Sequence, residues 1–288
     1  MDILEYDFMR RAFAVGLLLA VIIPCIGIVV VLKRLSMMGD ALSHSSLAGV
    51  AAGLILGINP IVGAGAVCVA AALSIEAIRK RIPKYSEMSI AIILSAGVGL
   101  AGVLSGFVKN AANFNSFLFG SIVAISDFEM ILVACVSCAV LVAFVLLYKE
   151  LFYVTLDERA ARLAGVPVRS VNFVFTILTA VTVSVASRTV GALIVSSMMV
   201  VPTACAMQFG KSYRQTVIGS VAFAVAFTLI GLFLSYYARL KPGGTIVLLG
   251  VACFLLILLV KKVAALRGAA RRGAPEAESA RERAEVLP

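Results

Sequence analysis

Asp40 and His44 are the residues whose types and spacing best suit chemistry, and His44 is the one histidine in the chain. An i, i+4 separation sets both side chains on one helical face, a turn apart. They lie in Lys33–Asn59, KRLSMMGDALSHSSLAGVAAGLILGIN, a stretch otherwise apolar and small. If a helix begins near Arg34 at a membrane interface, ten residues at ~1.5 Å each carry His44 about 15 Å inward, half of a ~30 Å hydrocarbon core. Ionisable groups at that depth are costly and usually functional. A carboxylate oxygen and a neutral imidazole are a good partial ligand set for zinc and an acceptable one for manganese. Two protein ligands are too few for a closed structural site, which suits a transporter that must release its cargo. The pattern also allows a proton relay, or a hydrogen-bonded pair that only braces helices. Met37, Ser43 and Ser45 are candidate helpers, but their types suit ordinary helix-interface residues better.

The elements that carry this pair must be membrane helices. Of the 288 residues, 62% are hydrophobic and 14% charged, with a mean hydropathy of +1.08. Soluble domains average roughly 45–50% apolar and about 25% charged. A bilayer accepts this apolar excess because it surrounds each helix with hydrocarbon. The fold class is therefore all-α, a polytopic transmembrane helical bundle. Nine stretches suit spans of about 20 residues: 12–32, 37–56, 60–78, 88–108, 128–148, 170–187, 190–208, 215–237 and 244–260. The first is too long for the apolar core of a cleaved signal peptide. The apolar stretch Asn113–Ser126 is too short to span and suits a re-entrant or interfacial helix.

Charge orients the bundle. With the basic loop Arg79–Lys84 placed in the cytoplasm and the spans alternating, 19 of the 25 Lys and Arg fall inside and six outside. The positive-inside rule prefers this arrangement, with an external N-terminus and a cytoplasmic C-terminus. The net charge of +10 is thus an orientation signal and not a sign of nucleic-acid affinity. Residues 1–262 are expected to form the transmembrane domain. The tail 263–288, rich in Ala, Arg and Glu, has little surface to bury and is expected to be disordered or a loose surface helix.

On the side assigned to the cytoplasm, Asp157–Val168 (DERAARLAGVPV) spells a short helix with a start and a stop. Asp157, Glu158, Arg159, Arg162 and Leu163 form the helix; Gly165, Val166 and Pro167 end it. A helix this short needs external support. Held on a membrane protein's inner face, it suits docking into a partner's groove, though a plain surface loop would fit too. Val190–Ala206 is a small-residue span kinked at Pro202. Glu76, Asp127, Glu129 and Arg188 are expected to be interfacial and solvated. The six cysteines, including the Cys135–Cys138 pair, lie in apolar runs and suit packing. The small-xxx-small spacings Gly49–Gly53–Gly57 and Gly102–Gly106 favour close helix approach. No Walker A motif, Ser-His-Asp set or HExxH is present, so neither P-loop ATP binding nor hydrolytic chemistry is expected of this chain.

Five stretches together resemble the ABC-3 family of metal permeases: RLSMMGDALSHSSLAGVAAGLILG (34–57), FLFGSIVAIS (117–126), LDERAARLAGVPV (156–168), VGALIVSSMMVVPTA (190–204) and PGGTIVL (242–248). The similarity covers about residues 10–262. It implies the permease of an ATP-driven importer of zinc, manganese or iron, built as a homodimer or a pair of similar permeases in the bacterial cytoplasmic membrane. Two cytoplasmic ATPase subunits and an external metal-binding receptor are the implied partners. The transported ion, and no permanently bound cofactor, is implied as the ligand. Asp40 and His44 would contact the metal in transit, and the segment 156–168 would be the coupling helix. The stretches 84–103 and 117–126 look more like the zinc branch than the manganese branch. A carrier or channel working without ATP, with Asp40–His44 as a proton relay, is the rival from another class; the coupling-helix stretch argues against it. A non-transporting scaffold has no obvious use for the pair.

Overall fold

The computed structural model describes residues 6–82, 85–108 and 125–285, with the side chains of 193 and 267–285 set aside. In chain order the helices are α1 (Asp7–Leu32), α2 (Met38–Leu56), α3 (Pro60–Arg81), α4 (Ser86–Ser105), α5 (Asp127–Leu146), α6 (Tyr148–Leu156), α7 (Glu158–Leu163), α8 (Val168–Thr189), α9 (Ala192–Met207), α10 (Tyr213–Ala238) and α11 (Pro242–Glu285). No strand occurs among the described residues. Nearly all of the stretch 113–126, expected as a re-entrant or interfacial helix, lies outside them.

Among the described residues, seven helices are long and apolar enough to cross a membrane: α1, α3, α4, α5, α8, α10 and α11 up to Leu266. The other two expected spans are present as helices of a different kind. α2 carries Asp40, Ser43, His44, Ser45 and Ser46, which dilute its apolar character, and α9 has only 16 residues. Both are wrapped by neighbouring helices, so protein takes the place of lipid around them. α2 packs on α3, α4, α8 and α9; α9 packs on α1, α2, α8, α10 and α11. The spanning helices sort the same way. In their apolar stretches 72% of α1 and 67% of α8 is buried, against 22–33% for the others. α1, α2, α8 and α9 therefore form the interior, and α3, α4, α5, α10 and α11 present apolar side chains such as Ile92, Ile131, Ile230 and Leu255 outward. An outward apolar face is what lipid requires.

Small residues let the interior helices meet. A Cβ at Gly49 would strike the Gly63 carbonyl of α3, and one at Gly27 would strike the Met199 carbonyl of α9. Gly97 of α4 sits against Ser45 and His44, with Ser45 Oγ 2.9 Å from where its Cβ would be. Backbones thus approach where α2 crosses its neighbours, and dispersion contacts accumulate without a hydrophobic drive. α11 continues as a helix through Glu285, into the Ala/Arg/Glu tail.

Candidate functional site

α2 places the Asp40–His44 pair. From Met38 to Gly53 every residue of this helix is buried except Asp40, His44 and Ala52. These three fall on one i, i+4 ladder, but Ala48 between His44 and Ala52 is fully buried, so the accessible stripe is the Asp40–His44 turn. Asp40 is the acidic group of its first turn. Around the pair, Ser45 Oγ donates to the Ala41 carbonyl at 2.8 Å. Cys68 of α3 bridges the Leu42 carbonyl at 3.6 Å and the Ala180 carbonyl of α8 at 3.2 Å. These bonds fix α2 against α3 and α8 one turn from His44. Met37 is exposed just before the helix, while Ser43 is fully buried with its hydroxyl unpartnered. Among the described residues no third His, Cys, Asp or Glu joins the pair in a metal-ligating group. One chain thus offers one carboxylate and one imidazole, an open partial ligand set.

The short helix expected at 157–168 is α7. Asp157 caps it, accepting from the backbone N–H of Arg159 at 2.7 Å and of Ala160 at 3.3 Å. Gly165 takes φ +83°, a conformation glycine adopts freely, and α8 starts directly after Pro167. Ala161 is buried; Arg159, Arg162 and Leu163 point outward, Leu163 at 91% exposure. Glu158 behaves otherwise. Its carboxylate turns back into the bundle, to Lys33 Nζ at 3.2 Å, the Asn172 amide at 3.1 Å and Arg79 at 3.8 Å. Lys33 also donates to Asn172 Oδ1 at 2.5 Å. Glu76 holds Arg79 at 2.8 Å and Lys80 at 3.4 Å. Burial opposes the Glu158 charge, but Lys33, Asn172 and Arg79 outweigh it and hold its pKa below the usual carboxylate value. Burial likewise lowers the Lys33 pKa, against the pull of Glu158. The cluster borders a polar cavity of about 490 Å³ that Arg162 and Arg169 also line.

Glu76 is therefore a buried, paired group and not a solvated one. The opposite end of the bundle corrects the reading of Glu129 and Arg188 in the same way. Glu129 closes the capping box of α5 with Ser126 and binds Arg188 of α8 at 2.6 Å. Asp127 stays exposed and pairs with Arg11 of α1 at 2.8 Å. Sequence reasoning passed over Lys33 and Asn172. Asn172 offered a signal, as an amide inside an apolar span whose cost calls for a partner. Cys135 and Cys138 face outward on α5 as free thiols.

A helical bundle with apolar outer faces, an acid–imidazole pair on a central helix and a capped short helix at one end defines a multi-pass membrane transport protein. Residues 5–261 match the ABC 3 transport family, and the chain belongs to that family. It is 34% identical over 266 residues to the "Probable metal transport system membrane protein" of Treponema pallidum, covering 92% of this chain and 99% of that one. The manganese transport system membrane protein MntC of Listeria monocytogenes is 30% identical over 258 residues, covering 89% and 92%. The high-affinity zinc uptake system membrane protein ZnuB of Haemophilus influenzae is 26% identical over 258 residues, covering 89% and 99%. Among solved structures, PsaBC from Streptococcus pneumoniae in complex with Fab superposes with a TM-score of 0.79 at 28% identity, over 89% of this chain and 92% of that one.

Proposed function

We propose that this chain is the permease of an ATP-driven importer of a divalent transition metal, and that Asp40 and His44 contact the ion in transit. The observation that carries the reading is the single accessible stripe on α2, where the two metal-ligating side chains are the polar exceptions on a buried helix. The names of the relatives divide between manganese and zinc, and a carboxylate–imidazole set serves either. We place zinc ahead of manganese, on the resemblance of 84–103 and 117–126 to the zinc branch.

The mechanism follows from the placement of the two sites. α7 exposes Arg159, Arg162 and Leu163, a basic rim around one apolar side chain, so its partner groove on an ATPase subunit should be acidic with an apolar pocket. Two such ATPases would bind beneath a pair of permeases, and a metal-binding receptor would dock at the end marked by Arg11, Asp127, Glu129 and Arg188. ATP binding and hydrolysis would move α7 and rock the interior helices, opening the α2 stripe alternately to the receptor and to the cytoplasm. Two permeases facing through their stripes would complete a four-ligand site, strong enough to strip water from the ion and able to open on rocking.

Cell-associated zinc and manganese, measured by elemental mass spectrometry in metal-starved cells, tests the reading. Zinc should fall in cells lacking the chain and recover with wild type but not with His44→Ala. No change in either metal would overturn it and bring the proton-relay carrier forward.

A further inference from the structure

We infer that the Glu158–Lys33 bond is the mechanical link between the partner-facing helix α7 and the ion-contacting helix α2, with Glu158 and Lys33 as positioning residues. The inference rests on the transport reading above and adds how its two sites are joined.

α7 spans six residues, too short to hold its place unaided. Its side-chain bonds to α1, α3 and α8 converge on one group, the Glu158 carboxylate, through Lys33, Arg79 and Asn172. Lys33 is the residue that leaves α1, and its side chain is only 5% exposed. The five residues from Lys33 to Met37 are not a slack loop. Lys33 N–H bonds to Val29, Arg34 N–H to Val31 and Leu35 N–H to Val30, while Met38 N–H closes on Leu35 at 2.8 Å. Arg34 sits at φ +57°, so the turn is sharp and committed. Leu35 and Met38 are buried. Asp40 follows in the first turn of α2. A displacement of α7 thus passes by one charge-assisted bond to Lys33, through a hydrogen-bonded turn, to Asp40 and then His44. Asn172 accepts from Lys33 and donates to Glu158, so it holds both groups in register on α8. Arg79, held by Glu76, keeps α3 in the same joint.

Lys33→Met is the discriminating variant, because it removes the charge at similar side-chain length, leaving only the Asn172 Oδ1 without its donor. Glu158 keeps Arg79 and Asn172, so folding should survive. Lys33→Arg retains a donor and should restore the link. Permease assembled with its ATPase and receptor in proteoliposomes gives two readouts: metal moved per ATP hydrolysed, and ATP-dependent hydrogen exchange of residues 36–44. We expect Lys33→Met to keep basal ATP hydrolysis, to lose about 10-fold in metal moved per ATP, in the usual range of coupling between sites, and to lose the exchange response. Glu158→Gln, which keeps an amide where the charge was, should show a smaller loss in the same direction. Wild-type coupling and exchange in both variants would overturn the inference. A Lys33→Met chain that fails to assemble, beside a Glu158→Gln chain that behaves as wild type, would also overturn it. If wild type hydrolyses ATP but moves neither metal, the transport reading falls. The exchange response, lost or kept in Lys33→Met, then still decides the link.

Discussion

At the scale of single residues, the chain separates two polar strategies. Asp40 and His44 stand on an accessible stripe and make no hydrogen bond or ion pair with each other, while the charges at the ends of the bundle are bound in pairs. The first arrangement leaves ligand lone pairs for a passing ion; the second spends them on joining helices. His44→Ala should therefore abolish uptake while leaving the purified chain about as thermally stable as wild type, since among the described residues the imidazole makes no hydrogen bond or ion pair to another helix. Glu158 carries a pH prediction. A carboxylate whose folded pKa is depressed adds stability that is present above its ordinary value of about 4.3 and is lost as pH falls through the folded value. Hydrogen-exchange protection of α7 should be flat from neutrality to about pH 5 and fall below about pH 4, with the fall absent in Glu158→Gln.

At the scale of elements, helix contacts on glycine decide which substitutions matter. Gly49→Ala drives a methyl into the Gly63 carbonyl and Ala64 Cα, both backbone atoms that have no rotamer to give. It should cost about 1–3 kcal/mol, the usual range for overpacking, measured as a lowered unfolding temperature in detergent. Gly102→Ala on α4 meets open space and should be neutral or gain up to about 1 kcal/mol from helix propensity. α7 gives the complementary case. Leu163 is the most exposed large apolar side chain of that helix and touches little of its own chain. Leu163→Asp should leave the fold intact and abolish co-purification of the ATPase, checked by pull-down alongside size-exclusion chromatography.

At the scale of the whole molecule, the two ionic ends give the bundle its polarity. Lys33, Arg79 and Glu158 gather at one end, Arg11, Asp127, Glu129 and Arg188 at the other. The count of Lys and Arg along the sequence leads us to expect the Lys33 end in the cytoplasm. A cysteine introduced at Arg239 should then react with an impermeant maleimide added outside cells, and one at Lys211 only after permeabilisation. The reverse pattern would invert the orientation. α1 and α8 cross the interior and are tied at both ends, so a rocking motion of either one carries both sides with it.

The amino-acid sequence alone determined the membrane class, because an apolar fraction of 62% has no other stable home, and it marked the main helices, because most of its apolar runs have about span length. It also singled out Asp40, His44 and the capped stretch at 157–168, since rare ionisable residues and start–stop signals are local. It did not separate lipid-facing spans from protein-wrapped ones. α2 and α9 read as spans like the rest, and only packing reveals that neighbouring helices surround them. Nor did it show that Glu158 turns inward while Arg159, Arg162 and Leu163 turn outward. That division depends on Lys33, Arg79 and Asn172, which lie 125, 79 and 14 residues away along the chain. Pairings at such separations leave no periodic trace, because each partner's own neighbourhood is that of an ordinary interfacial charge or amide. Only the tertiary structure brings them into one joint.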